Sequence, residues 1–323
     1  MKAAITYMGL SLAISFIRCF PLRRVAWMGR IVGGWAFHLD RRHRVRAIEN
    51  LTLVFGKEWS TDKIAAVAKE NFRRLGENYA SAIRMAFMSE AATEACFTVT
   101  GTEHLARSTD REAGNDIVAI GHFGNFEGYT RIAAAVQAPE GATTYRALKN
   151  KGANRVMETL RHREGMTYFE RRKDAEALKN RLRRGGLLLG LLSDHYAGRG
   201  GVTCRFLGHP CSSSPASVVL AMRYKARLFT AVCYRVGLAR WRIDIGREIP
   251  LKQGGKLRPV SEVTQEVQEA LGDAVRRDPA NWFWVHHRWR TVKPSPKSGS
   301  GTGVSGETGA SFGSHVPLDT SRP

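Results

Sequence analysis

Cysteine is scarce in this chain: Cys19, Cys96, Cys204, Cys211 and Cys233 are the only five in 323 residues, and no two form a CxxC pair. An odd, scattered set argues against a disulfide scaffold and suits a reducing compartment. Cys204, His209 and Cys211 lie close together with His195 upstream, but their spacing matches no common zinc pattern, and ordinary packing is the simpler reading. Acidic residues are also in deficit, 29 against 50 lysines and arginines, for a net charge of +21. A surface that basic attracts phosphate or carboxylate partners; composition alone leaves nucleic acid, an anionic membrane and an acidic protein open. Long apolar runs are missing as well. The uncharged stretch Ala3 to Ile17 has 15 residues, short of the ~20 that span a bilayer comfortably. A GxGxxG at Gly301, Gly303 and Gly306 and a GxSxG from Gly309 to Gly313 lack the strand and helix that such motifs need, so neither a dinucleotide site nor a serine nucleophile is expected. There is no internal repeat.

What is present is graded along the chain. The uncharged N-terminal run is followed by Arg18, Arg23, Arg24, Arg30, Arg41, Arg42, Arg44 and Arg46. That order suits a membrane anchor, either a short span or a helix lying in the interface with arginines on anionic headgroups. Residues 60 to 90 carry apolar positions at helical spacing. From about 115 onward strand-like segments (117–120, 143–148, 187–192, 228–236 and 241–245) alternate with helical stretches near 151–163, 173–184 and 215–226. This alternation predicts an α/β layered fold with a largely parallel sheet. After Thr291 the composition turns to Lys, Pro, Ser and Gly. The expected organisation is an anchor over 1–24, one domain over 25–292 and a disordered tail over 293–323.

The stretch IVAIGHFGNFEGYTR, residues 117 to 131, carries the chemistry. A buried strand ends at Gly121-His122, and a helical pattern begins near Glu127. A residue just past the carboxyl end of such a strand lies at the rim of the sheet, where α/β proteins bind ligands. From about one turn into the next helix, Glu127 is expected to reach back to His122. A carboxylate on one imidazole nitrogen fixes the tautomer and leaves the other nitrogen to take a proton.

The chain resembles the bacterial lipid A biosynthesis acyltransferases, the lauroyl and myristoyl enzymes related to the lysophospholipid acyltransferase superfamily. The resemblance runs from the N-terminal anchor to about Thr291 and rests on GHFGNFE (121–127), TYRALKN (144–150), FERRKD (169–174), SDH (193–195), CRFLGHPCSSS (204–214) and NWFWVHHRWR (281–290). It implies a glycerolipid-acyltransferase-like layered sheet with flanking helices and an N-terminal membrane-associated helix. The implied activity is transfer of a fatty acyl chain from acyl carrier protein to a hydroxyl of a lipid A precursor or related lipid, at the cytoplasmic face of the bacterial inner membrane. Another lysophospholipid or glycolipid is the alternative acceptor. The family's His-x4-Glu/Asp motif maps onto His122 and Glu127, its arginine-bearing segment maps near Arg161 and Arg163, and its Asp-Gln piece maps onto Asp194 with His195 in second place. Phe126 stands where Trp is common and His195 where Gln is common. The FPEGTRS-type block of the glycerolipid branch is absent.

On this mapping His122 deprotonates the acceptor hydroxyl, which attacks the acyl thioester directly, and Glu127 orients the imidazole. No metal, cofactor or covalent intermediate is expected. Such general-base assistance is worth ~100- to 10,000-fold. Arg161 or Arg163 pairs with an acceptor phosphate, the planar guanidinium fork matching phosphate oxygens. Asp194 and Arg146 are further substrate-binding candidates; turn formation is the alternative for Asp194, and a solvated surface charge for Arg146, Arg171 and Arg172. The cluster Trp282, Phe283, Trp284 and Trp289, laced with His286, His287, Arg288 and Arg290, suits a membrane interface or base stacking, with core packing as the plainer alternative. A nucleic-acid-binding protein is the reading from another class. It explains the charge but neither the hydrophobic N-terminus nor the placement of His122 and Glu127, so no nucleic-acid partner is expected.

Overall fold

The alternation becomes a seven-stranded sheet in the computed structural model, which describes residues 2–106, 114–161 and 165–290. Four helices open the chain, α1 (Lys2–Arg18), α2 (Leu22–Leu39), α3 (Arg41–Phe55) and α4 (Thr61–Met85). A short α5 (Glu90–Glu94), β1 (Phe97–Thr100) and a short α6 (Thr102–Leu105) follow. Then come β2 (Asp116–Ile120), α7 (Thr130–Ala135), β3 (Glu140–Tyr145), α8 (Lys151–Arg161), β4 (Met166–Glu170), α9 (Ala175–Arg183) and β5 (Leu187–Leu192). A hairpin of β6 (Val202–Phe206) and β7 (His209–Ser213) leads to α10 (Ala216–Arg223), β8 (Arg227–Gly237), β9 (Arg240–Ile245) and α11 (Val260–Arg277).

The sheet order is β1-β9-β8-β2-β5-β3-β4. Neighbours among β8, β2, β5, β3 and β4 are parallel; β9 turns back antiparallel on β8, and β1 lies parallel to β9. β2 and β5 lie at the centre and are covered on both faces, which is why both read as continuous apolar runs. Alternation divides β2 between two cores. Ile117 and Ala119 pack with α10, α11 and the buried indoles of Trp282 and Trp284, while Val118 and Ile120 pack with Ile132, Phe229 and Ile243.

Ser60 caps α4, its hydroxyl accepting from the Lys63 N–H. The helix then packs tightly on α2: a Cβ on Gly76 would lie 2.1 Å from the Gly29 carbonyl oxygen, so the crossing tolerates nothing larger than glycine there. α4 also carries buried polar side chains that reach the far end of the chain. Asn71 donates to the carbonyls of Ala280 and Trp282, and Asn50 of α3 does the same to Trp284 and His286. The segment 280–288 is thereby pinned beneath the sheet's carboxyl rim.

Several expectations shift. β5 spans 187–192 as expected. β3 runs from Glu140 to Tyr145 rather than over 143–148, because Glu140 starts the pairing opposite Leu187 and ties to Arg181. β4, the β6–β7 hairpin and α11 lie outside the expected set. No helix among the described residues is long and apolar enough to cross a membrane. α1 lies along α8, with Asn150 donating to the Thr6 hydroxyl and Arg155 over the Tyr7 ring. α2 runs through residue 24 without a break. Residues 293–323, expected to be disordered, lie outside the described residues.

Candidate active site

β2 and β5 are parallel neighbours with Ile120 opposite Leu192. Two residues past each paired end come His122 and Asp194, side by side at the carboxyl rim. His122 Nδ1 is 2.7 Å from Asp194 Oδ1, and the His122 backbone N–H donates to Asp194 Oδ2 at 2.7 Å. The Trp282 indole N–H donates to the same Oδ2 at 2.8 Å. Asp194 is fully buried. Burial alone would raise its carboxyl, but the His122 charge and hydrogen bonds overcome that and hold it well below the usual carboxylate range. An ionised carboxylate only accepts, so the proton lies on Nδ1 and Nε2 of His122 carries the lone pair.

The turn after the histidine is fixed from both sides. Tyr129 donates to the Gly121 carbonyl and accepts from the Cys233 N–H of β8, fastening the end of β2 to its neighbour. Gly121 is obligatory, since a Cβ there would lie 2.6 Å from the Phe123 ring. Residues 126–129 form a 3-10 turn rather than the first turn of an α-helix.

This geometry corrects the expected role of Glu127. The carboxylate on Nδ1 is Asp194, not Glu127, because strand adjacency brings Asp194 alongside the imidazole while the 3-10 turn sends Glu127 to an apolar pocket beside Phe126. Asp194 is likewise not placed to meet a substrate; it is enclosed and spends both oxygens on His122 and Trp282. Arg146 is exposed, one residue past the end of β3 at the same rim. Arg161 is the last residue of α8, and Arg163 lies outside the described residues.

The pocket lies between β2, β5 and β3, with Ile120, Phe126, Tyr129, Thr143, Met166 and Leu192 among its walls. Phe126 also contacts the His122 ring, with centroids 5.4 Å apart, so the pocket begins beside the imidazole. Its open interior is about 70 Å³. A long chain needs flexible side chains such as Met166 to give way.

Behind the imidazole stand two more. The rings of His122 and His195 are 3.7 Å apart and within 3° of parallel, and His286 continues the stack at 4.1 Å from His195. The ligand atoms of His122, Asp194 and His195 lie within 4.8 Å of one another, but His122 Nδ1 and both carboxylate oxygens are already engaged in hydrogen bonds. Arg288, fully buried, donates to the carbonyls of His195 and Ser212, the Ser213 hydroxyl and Gln268 Oε1, and Gln268 in turn donates to the Ser193 carbonyl. The loop carrying Asp194 and His195 is held by that guanidinium.

Half of the C-terminal aromatic cluster is core. Trp282 and Trp284 are wholly buried, and Trp282 serves the site directly. The FERRKD stretch is a loop lock: the Glu170 carboxylate accepts the N–H groups of Ala147, Arg172 and Lys173, leaving Arg171 and Arg172 exposed. Cys204 and Cys211 face each other across the hairpin.

Among the described residues, then, a carboxylate-backed imidazole stands at the strand rim beside an apolar pocket. Residues 1–291 match the family model for bacterial lipid A biosynthesis acyltransferase, and the chain belongs to that family. It is an acyltransferase. Among solved structures it is similar to the 1-acyl-sn-glycerophosphate (LPA) acyltransferase PlsC from Thermotoga maritima, at 14% identity and a TM-score of 0.37, over 79% of this chain and 99% of that one. No curated protein matches.

Proposed function

We propose that the protein moves a fatty acyl chain from acyl carrier protein to a hydroxyl of a lipid A precursor, with His122 as general base. The observation that carries the mechanism is the 2.7 Å contact between His122 Nδ1 and the ionised, buried Asp194, which directs the Nε2 lone pair outward. In the reaction Nε2 takes the proton of the acceptor hydroxyl as its oxygen attacks the thioester carbonyl. The thiolate of the carrier leaves with that proton or one from solvent, and Asp194 stabilises the transient imidazolium. The apolar pocket receives the acyl chain. Glu127 lines the same pocket, and we assign it a part in the charge of the reacting groups rather than in the imidazole's orientation.

The rim also suits acidic ligands. Arg146, Lys149, Lys151, Arg155, Arg171 and Arg172 are exposed around the ends of β3 and β4, and they fit an acidic carrier protein or the phosphates of a lipid acceptor. Arg161 and Arg163 belong to the same flank in sequence and are proposed as phosphate contacts.

We place the enzyme on the cytoplasmic face of the inner membrane. Met8, Leu12 and Phe16 of α1 and Trp27, Val32, Trp35 and Leu39 of α2 are exposed, close to the arginines of both helices. Apolar and aromatic side chains beside cations suit a helix pair lying in an anionic interface.

The test is transfer in a purified assay with acyl carrier protein thioester and a lipid A precursor. His122→Ala should lose nearly all transfer while remaining folded, with a melting temperature lowered because the buried Asp194 is left without its imidazole partner. Near-normal turnover by that variant would remove the mechanism, and transfer to other lysolipids alone would move the acceptor.

A further inference from the structure

We propose that His195 is a positioning residue: its uncharged ring, stacked on His122, clamps the plane of the catalytic imidazole and supports its protonated form. This rests on the reading of His122 as general base.

Asp194 fixes one edge of the His122 ring, but a single hydrogen bond along that edge leaves the ring free to tilt about it. The His195 ring removes that freedom. At 3.7 Å and 3° it lies flat against the imidazole over a full van der Waals contact. The loop beneath is rigid because the buried Arg288 holds the His195 carbonyl, and His286 backs the stack from its far side at 4.1 Å.

The stack works only while His195 and His286 stay neutral. The stack is faced by Asp194 from the loop after β5 and by Arg288 and His287 from the C-terminal segment. The Arg288 cation is already enclosed there. A second buried positive charge is therefore disfavoured at His195 and His286, and their orphaned buried nitrogens, His195 Nε2 and His286 Nδ1, lack the acceptors an imidazolium would need. Burial, followed by the His122 charge, pushes His195 down to about 3; burial likewise takes His286 to about 4. The proton taken during turnover thus stays on His122, over the electron-rich face of a neutral ring, an attraction of the cation–π kind.

The test uses the full-length protein and two variants. His195→Leu removes the ring and its face, while His195→Phe keeps a flat aromatic partner without a titratable nitrogen. His195→Leu should lower kcat by ~10- to 100-fold with KM little changed, the cost of a misaligned base. His195→Phe should retain most of the rate. Independently of any substrate, an NMR titration of the His122 ring should show its midpoint fall by about half a pH unit or more in His195→Leu and hold in His195→Phe. A wild-type midpoint in a folded His195→Leu protein overturns the proposal, as does an equal loss of kcat in both variants at unchanged melting temperature. If the NMR midpoint moves as expected but His122→Ala still turns over normally, it is the general-base reading that has failed and not the stack.

Discussion

His122 and Asp194 are 72 positions apart in the chain and 2.7 Å apart in space, joined because their strands are parallel neighbours in register. The pair has the geometry of the histidine–carboxylate half of a hydrolase triad.

The first prediction separates the two carboxylates. Asp194→Asn should lower turnover by ~100- to 10,000-fold, since the amide neither enforces the tautomer nor stabilises the imidazolium. Glu127→Gln should cost less, because Nδ1 keeps its carboxylate. Steady-state kinetics on both purified variants checks the order. If Glu127→Gln were the more damaging by far, Glu127 would hold a direct part in proton transfer.

Acid stability is the second. His195 and His286 titrate in the folded protein at about 3 and about 4, below the ~6.5 of an unfolded histidine. Between those values the unfolded chain binds more protons, so stability is full above pH 6.5 and falls as pH drops toward 4. Asp194, whose folded value is depressed, adds stability above about pH 4 that is lost below it. Melting temperature should therefore decline from pH 7 to 4.5, and less steeply in His286→Phe. A flat profile in the wild-type protein would mean that the stack is not neutral.

Third, Trp282→Phe keeps most of the buried volume but removes the N–H that Asp194 accepts. The loss of a hydrogen bond to a buried charge should cost about 2 kcal/mol in a denaturant titration, along with part of the turnover. Were stability and rate both unchanged, the indole would be only a space-filler.

How far the site was legible depends on what decides each contact. β5 and the rim position of His122 follow from local apolar patterning. The partner of His122 does not, because nothing in the stretch 117–131 says which strand lies beside β2. Glu127 looks right by helical spacing, and the 3-10 turn at 126–129 removes that spacing. β4 is five residues long between charged flanks, so it leaves little apolar signal of its own. Arg288 sits in a run of cations and aromatics that reads as surface, yet it is fully buried, and only the carbonyls gathered around it explain why.

The fourth prediction concerns the helix pair. Replacing Trp27 and Trp35 with serine should weaken co-sedimentation with anionic vesicles, and deletion of residues 2–17 should leave a remnant that high salt removes. Intact protein that stays in solution with such vesicles at low salt would end the interfacial placement.

Donor encounter is the fifth. If an acidic carrier docks on the exposed cations around β3 and β4, its apparent affinity should fall as ionic strength rises. An affinity indifferent to salt would leave those side chains without that role.

The chain between His122 and Asp194 is also the chain that supplies the pocket's outer wall: Phe126, Thr143 and Met166 all lie within it. The two catalytic positions are bookends fixed by the register of the central strands, and the shelf between them can be restocked. On the proposed function, substitutions at Thr143 or Met166, away from the His122 ring, would change which chains fit while leaving the proton-transfer geometry alone. Preference for acyl length and chemical competence would then be separately heritable traits.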